Sequence, residues 1–236
     1  ESVMKFIETN DAIKVREVQN NILYTYQKDI SKHVPTSESN RINMVWQSMP
    51  SQLVKENKKF IYGVTKPGGR AKDFEIAIQW LMDAGLVYKA ERVNEAKMPL
   101  KFYVDISGFK LFLLDCGLLG AMSETPPEKL LVAENGMEES KGAFTENYVM
   151  SQLVATRDTS VFYYSNDAKL EIDFLIQHGG EIVPIEAKAE ENLRAKSLST
   201  FVASRPGMHG LRFSMSDYRE QGWMTNVPLY AISTYF

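Results

Sequence analysis

Two short apolar segments joined by a His-Gly-Gly turn constrain the fold of this chain more than any other stretch. Residues 171–176 and 182–188 are rich in β-branched side chains, and consecutive glycines between them predict a β-hairpin. Side chains of a strand alternate between its faces, so Glu186 and Lys188 project together. The hairpin then places Asp173 beside them, where two carboxylates could hold a divalent cation and the lysine could meet a phosphate.

An acidic residue and a lysine that are separated by one residue do not indicate an active site by themselves. The same triplet recurs in polar loops or solvated helix faces, at Glu56/Lys58, Glu95/Lys97, Glu139/Lys141 and Asp167/Lys169. Only Glu186 and Lys188 end an apolar strand that follows a strand with its own acid. An outward salt-bridge ladder on a half-exposed hairpin is the alternative interpretation.

A third acid lies on the helix predicted to begin near Gly142. Glu146 shares its apolar stripe with Val149, Met150 and Leu153, so it should face the sheet. A carboxylate in that position is costly unless it is paired, hydrogen-bonded or bound to a metal. A structural ion pair between Glu146 and Lys188 is the alternative.

Composition excludes several classes of protein. The 236 residues are 44% hydrophobic, which is enough to bury a core, and the net charge is −3. One cysteine and three scattered histidines exclude a disulfide framework and a multi-cysteine zinc site. The single cysteine fits a reducing, cytoplasmic location. No apolar run could span a bilayer, so we expect no membrane partner. The chain begins at Glu1 without an initiator Met, so we expect a fragment.

The element pattern predicts two modules of an α/β protein that is α+β overall. Helices over 3–34 end at Pro35, and further helices followed by a two-stranded wing predict a winged helix over 37–122. The stretch 123–139 has the composition of a linker. Beyond it the predicted order is helix, three strands, helix and strand, at 142–156, 160–165, 169–177, 181–188, 192–204 and 210–214, with a last strand over 227–232.

This order, with Glu146 on the first helix, Asp173 on the second strand and Glu186 and Lys188 on the third, resembles the PD-(D/E)XK nuclease superfamily. The chain also resembles the C-terminal half of AAA-type ATPases that carry a DUF4143 domain. That resemblance rests on segments along nearly the whole chain, at 70–75, 80–86, 99–101, 109–111, 114–119, 142–149, 162–165 and 171–174.

The resemblance implies a division of the chain and a set of roles. Residues 1–36 would be the helical tail of an ATPase lid, 37–122 the winged helix and 123–236 the nuclease-like DUF4143 domain. Asp173 and Glu186 would ligate Mg²⁺ or Mn²⁺, Glu146 would complete or orient the site, and Lys188 would position the attacking water or stabilise the developing phosphorane charge. The sequence has no P-loop, so ATP would bind only to a preceding ATPase domain.

Three functions stay open at this point. The first is metal-dependent cleavage or binding of nucleic acid by the nuclease-like domain. The second is a non-catalytic module that binds DNA or protein and uses its acids structurally. The third is regulation of the partner ATPase domain, including contacts in a homo-oligomer.

Overall fold

The computed structural model describes residues 1–55, 58–127, 138–156, 160–166, 170–189 and 195–235. It is a mixed α/β structure, α+β overall, which confirms the predicted fold class. The chain divides into two compact units that are not continuous in sequence. The helical unit comprises Glu1–Tyr88 with Leu113–Phe144, and the sheet unit comprises Lys89–Phe112 with Thr145–Phe236.

Two helices of the helical unit have a first turn that is capped by a carboxylate. Asp11 accepts hydrogen bonds from the amides of Ile13 and Lys14, and Asp115 accepts one from Leu118. The helices pack through apolar stripes that include Met49, Leu53, Phe74 and Leu81. The helices are α1 (Ser2–Thr9), α2 (Ala12–His33), α3 (Thr36–Leu53), α4 (Tyr62–Thr65), α5 (Ala71–Asp83) and α6 (Cys116–Met122).

The sheet unit is built on one mixed sheet. Its described strands lie in the order β2-β1-β3-β4-β5-β6-β8-β7. The strands are β1 (Val87–Val93), β2 (Val104–Leu113), β3 (Phe162–Ser165), β4 (Glu171–His178), β5 (Glu181–Ala187), β6 (Gly210–Ser214), β7 (Arg219–Glu220) and β8 (Met224–Pro228). Helix α7 (Glu138–Thr156) precedes β3, α8 (Lys196–Ala203) precedes β6, and α9 (Ile232–Tyr235) follows β8.

The two strands that the sequence assigns to a separate wing belong to this sheet. Strand β1 lies beside β2, as expected of a wing, but it also pairs in parallel with β3, with Arg92 opposite Tyr163. The backbone groups on the second edge of β1 are thereby hydrogen-bonded, and residues 89–112 pack with the C-terminal part of the chain. The structure therefore groups these residues with the sheet unit, whereas the sequence division places them in 37–122.

The core beneath the central strands is formed by α8. Leu198 and Phe201 are completely buried and belong to one apolar cluster with Phe162, Ile172 and Met224. The glycine at the start of β6, Gly210, has no side chain to obstruct Leu198: an added Cβ would lie 3.0 Å from its Cδ2 atom. Helix α8 can therefore lie close to the strands, and its side chains pack against the apolar residues of β3, β4 and β8.

The predicted elements of the C-terminal part are confirmed with one correction. Helix α7, strands β3 to β6 and helix α8 occur in the predicted order. The last strand ends at Pro228 rather than at 232, and the chain continues as a 3₁₀ turn (Leu229–Ala231) and α9. The predicted linker at 123–139 lies mostly outside the described residues. Within the described residues, no helix is both long and apolar enough to cross a membrane.

We predict that Gly69→Ala destabilises the helical unit by about 2 kcal/mol, as expected for overpacking. An added Cβ would lie 2.8 and 2.9 Å from the carbonyl oxygens of Tyr62 and Lys66, and 2.9 Å from the ring of Phe74. Gly63→Ala is the matched control, because nothing lies within 4 Å of its added Cβ. Urea denaturation measures both free energies of unfolding, and equal values for the two variants would contradict the packing.

Candidate active site

The β4–β5 hairpin brings together the sequence-predicted residues on these strands. Its strands pair antiparallel, and Gly179 and Gly180 make the turn with φ values of 59° and 82°, which glycine adopts without strain. The Asp173 Oδ2 atom accepts a hydrogen bond of 2.9 Å from the backbone amide of Ala187, the middle residue of the acid-x-Lys triplet. The structure thus places Asp173 directly at the triplet.

A β-bulge lies in β4 at the position of Asp173. Phe162 of β3 is opposite Leu175, whereas Tyr164, two residues later, is opposite Ile172. Two residues of β4, Asp173 and Phe174, therefore lie opposite a single residue of β3, Tyr163. Bulges change the direction of a side chain and are frequent next to active sites.

Glu186 and Lys188 form an ion pair whose two members differ in exposure. The Lys188 Nζ atom lies 3.0 Å from Glu186 Oε1, and the side chains are 40% and 8% exposed. Burial raises the pKa of Glu186; Lys188 opposes this shift, and Asp173 adds to it. Burial alone would lower the pKa of Lys188, but Glu186, followed by Asp173 and Glu146, raises it above its ordinary value.

Glu146 is buried on the stripe of α7 that the sequence predicts. It is 7% exposed, and Val149, Met150 and Leu153 on the same stripe are at most 1% exposed. Its negative charge contributes to the raised pKa of Lys188, so the carboxylate lies within electrostatic range of the triplet. The structure thus brings all four sequence-predicted site residues into one cluster.

Sequence reasoning missed a lysine in this cluster. Lys110 of β2 is 1% exposed, its ammonium donates to Glu171 Oε1, and its Nζ atom lies 4.8 Å from the centre of the Tyr163 ring. Burial would lower its pKa, but Glu146, Glu171 and Asp173 raise it well above its ordinary value, so the ammonium stays charged. The available signal was a lysine inside an apolar run, which is costly unless it is paired.

An arginine on the next strand is the second residue that sequence reasoning missed. Arg212 of β6 lies opposite Glu186 in the parallel pairing of β5 with β6, and it is 1% exposed. Its Nε atom donates to Asn226 Oδ1 at 2.8 Å. The sequence carries the same kind of signal as for Lys110, because Arg212 stands between Leu211 and Phe213 in a fully buried strand.

Two family models match different regions of the chain. Residues 1–129 match the model described as Domain of unknown function (DUF8612). The chain belongs to the DUF8612 family. Residues 141–232 match the model described as Domain of unknown function (DUF4143), which confirms that part of the predicted resemblance. No curated protein and no solved structure gives a significant match.

The charged cluster takes residues from both family regions of this DUF8612 protein. Lys110 lies within the DUF8612 match, whereas Glu146, Asp173, Glu186 and Arg212 lie within the DUF4143 match. The sheet unit joins them, because β1 and β2 from the first region are continuous with the strands of the second. The candidate site therefore depends on the two regions being present in one chain.

The donor set fits a divalent cation that keeps most of its water. Among the described residues, no group of three or more acidic, histidine or cysteine side chains is arranged to hold a metal ion. Asp173 and Glu186 remain as a pair of carboxylates, and Glu186 Oε2 is a buried oxygen without a hydrogen-bond partner in the described structure. Mg²⁺ is usually bound through one or two carboxylates together with water and substrate phosphates.

We predict that Lys110→Met destabilises the sheet unit by about 3 kcal/mol, because it leaves the buried Glu146 and the half-buried Glu171 and Asp173 without their counter-charge. Lys89→Met is the matched control and should cost less than about 1 kcal/mol. Lys89 also pairs with an acid and lies over an aromatic ring, but its side chain is 29% exposed. Urea denaturation followed by circular dichroism measures both costs. Similar costs for the two variants would contradict the role of Lys110.

We predict that Glu186→Gln stabilises the protein at neutral pH. The folded state holds the pKa of Glu186 above its ordinary value of 4.5, so it favours the protonated carboxyl. Wild type therefore loses stability as the pH rises through that raised pKa, whereas the Gln variant does not. Melting temperatures between about pH 4 and pH 7 should show a growing difference in favour of the variant.

The exposed Glu181, at the other end of β5, supplies the control for this pH dependence. Glu181→Gln should not reproduce the stabilisation of Glu186→Gln, because an exposed carboxylate has no burial cost to remove. A Glu186→Gln variant that is less stable than wild type by the same amount throughout the pH range would contradict the burial cost assigned to Glu186.

Proposed function

We propose that the sheet unit is a PD-(D/E)XK-like domain that uses Mg²⁺ or Mn²⁺ to bind and cleave nucleic acid. The observation that carries this proposal is the hydrogen bond from the Ala187 amide to Asp173, which holds the Asp173 carboxylate at the Glu186-x-Lys188 triplet. The order of α7, β3, β4, β5, α8 and β6 supports it, since Glu146, Asp173 and Glu186 lie on α7, β4 and β5 as the resemblance requires, and Lys188 directly follows β5.

The proposed roles follow from burial and charge. Asp173 and Glu186 would hold the cation, which when bound would polarise a phosphodiester and activate water. Glu146 would complete or orient the carboxylate pair. The Lys188 side chain is 40% exposed, so its ammonium would meet the incoming phosphate or the attacking water. The unpaired Glu186 Oε2 supports this assignment, because a cation would satisfy that buried oxygen.

The proposal extends to the protein from which the chain derives. We infer that the chain is the C-terminal part of a AAA-type ATPase, in which a preceding P-loop domain would bind ATP. A winged helix would form around α3 to α5. The resemblance of residues 70–75 and 80–86 to such ATPases supports this inference. Its test is the ATPase rate of the full-length protein with and without residues 37–236. An unchanged rate would count against regulation by these domains.

A non-catalytic role is the second candidate, and the cations within the cluster favour it. Lys110, Lys188 and Arg212 offset the nearby acids without a metal, as a structural ion network would. The domain would then bind DNA or protein, or regulate the ATPase, without turnover. Metal binding separates this role from the nuclease role.

We predict that wild type binds Mn²⁺ and that Asp173→Asn and Glu186→Gln each weaken binding by about tenfold or more. Glu181→Gln is the matched control, because it removes the same charge from the exposed end of the strand that carries Glu186. Isothermal titration calorimetry measures the affinities. If the control loses as much affinity as the two site variants, Mn²⁺ does not bind at this cluster.

Cleavage is tested on DNA and RNA with Mg²⁺ or Mn²⁺. Lys188→Met should abolish cleavage without weakening Mn²⁺ binding, because the lysine acts on phosphate or water and its ion pair with Glu186 competes with the metal. Full cleavage by Asp173→Asn would overturn the nuclease proposal. Metal binding without cleavage of either polymer would leave the binding module as the function.

A further inference from the structure

The guanidinium of Arg212 is fixed from one side by an elaborate set of hydrogen bonds. Its Nε atom donates to Asn226 Oδ1 at 2.8 Å, and the same oxygen accepts from Ser214 Oγ at 2.7 Å. The Asn226 amide nitrogen donates to the carbonyl oxygens of Ser216 and Asp217, at 3.1 and 2.8 Å. Asn226 is thus locked in one orientation, and it locks Arg212 in turn.

The two remaining nitrogens of Arg212 are buried without a partner. Within the described structure, neither Nη1 nor Nη2 has a hydrogen bond, although the residue is 1% exposed. A buried charge is costly unless it is paired, so a fixed guanidinium with two unused donors indicates a missing anionic acceptor. The neighbouring Glu186 carboxylate offsets part of this charge, but within the described structure it accepts no hydrogen bond from either nitrogen.

These donors belong to the same row of the sheet as the proposed metal ligand. Arg212 and Glu186 are register partners on neighbouring parallel strands, so their side chains project from the same face. Glu186 Oε2 is also buried without a partner in the described residues, and its Oε1 atom is bonded to Lys188 instead. Unused donors on Arg212 and an unused acceptor on Glu186 therefore lie side by side.

We propose that Arg212 binds a non-bridging phosphate oxygen of the substrate phosphodiester, next to the cation held by Glu186. A cation would satisfy the Glu186 oxygen, and the phosphate that such a cation carries would satisfy the guanidinium. The planar fork of arginine matches phosphate in a bidentate geometry that lysine cannot provide. Lys188, the exposed member of the ion pair, marks the side from which the phosphate enters.

This inference rests on the proposed function for its ligand, but its test is separate. The probes are a fluorescein-labelled thymidine oligonucleotide with Ca²⁺, which supports binding without cleavage, and inorganic phosphate. We expect Arg212→Lys and Arg212→Gln to weaken oligonucleotide binding between about tenfold and a hundredfold, which is the range for charge-assisted hydrogen bonds. Arg212→Lys keeps the positive charge beside Glu186, so its Mn²⁺ affinity, measured without nucleic acid, should change by less than about threefold.

Arg219 provides the matched control. It is an exposed arginine on β7, opposite Asn226, and its charge acts on Arg212. Arg219→Gln removes a positive charge close to the proposed site without removing a buried donor, so it should weaken oligonucleotide binding by less than about threefold. If the Arg212 variants bind the oligonucleotide as tightly as Arg219→Gln does, the proposal is overturned.

A measurement on wild type tests whether Arg212 binds phosphate even if the Arg212 variants do not fold. Arginine-selective NMR of the nitrogen-labelled protein should show the Arg212 Nη signals shifting, with a nitrogen–phosphorus coupling across the hydrogen bond, when the oligonucleotide is added. Signals unchanged at saturation would overturn the proposal. The same coupling with inorganic phosphate alone would assign the site to any phosphate group rather than to nucleic acid.

The failure of this inference and the failure of the proposed function give different results. Mn²⁺ binding at Asp173 and Glu186, with no phosphate coupling at Arg212, removes the phosphate site and keeps the metal site. A phosphate coupling at Arg212 without any Mn²⁺ binding keeps the phosphate site and removes the metal-dependent nuclease.

Discussion

The charge of Lys110 inside the sheet unit is the interaction on which the arrangement of the site depends. A completely buried ammonium is stable there only because Glu171 accepts its hydrogen bond and Glu146 and Asp173 lie close. The reverse also holds, since these acids lose their compensation if the lysine is removed. The ion network therefore couples β2, α7 and β4, which come from distant parts of the sequence.

That coupling explains how two regions of unknown function form one site. The DUF8612 match ends before α7 begins, and the DUF4143 match starts inside it. The parallel pairing of β1 with β3 nevertheless makes β1 and β2 part of the sheet that carries Asp173 and Glu186. Neither region alone contains the full set of charges, so the charged cluster extends beyond either family match.

The hairpin and the orientation of Glu146 could be predicted from sequence because both depend on local periodicity. Alternation along β5 and the stripe on α7 are properties of short segments. Lys110 and Arg212 could not be assigned to the site because they reach it through long-range strand pairing, which periodicity does not encode. The bulge at Asp173 could not be predicted from the sequence either, since it is a shift in the pairing register between β3 and β4. The end of β8 was predicted too late because Pro228 and Leu229 fit an apolar strand pattern equally well.

The central claim is that Asp173 and Glu186 together bind a divalent cation. Anomalous X-ray scattering from crystals of this chain soaked in Mn²⁺ tests it directly, because Mn²⁺ can be located without knowledge of the substrate. We predict one peak bonded to both carboxylates, with Glu186 Oε2 as a ligand. An absence of a peak there at saturating Mn²⁺, with Glu186 still bonded to Lys188 alone, would contradict the claim and identify the cluster as a structural ion network.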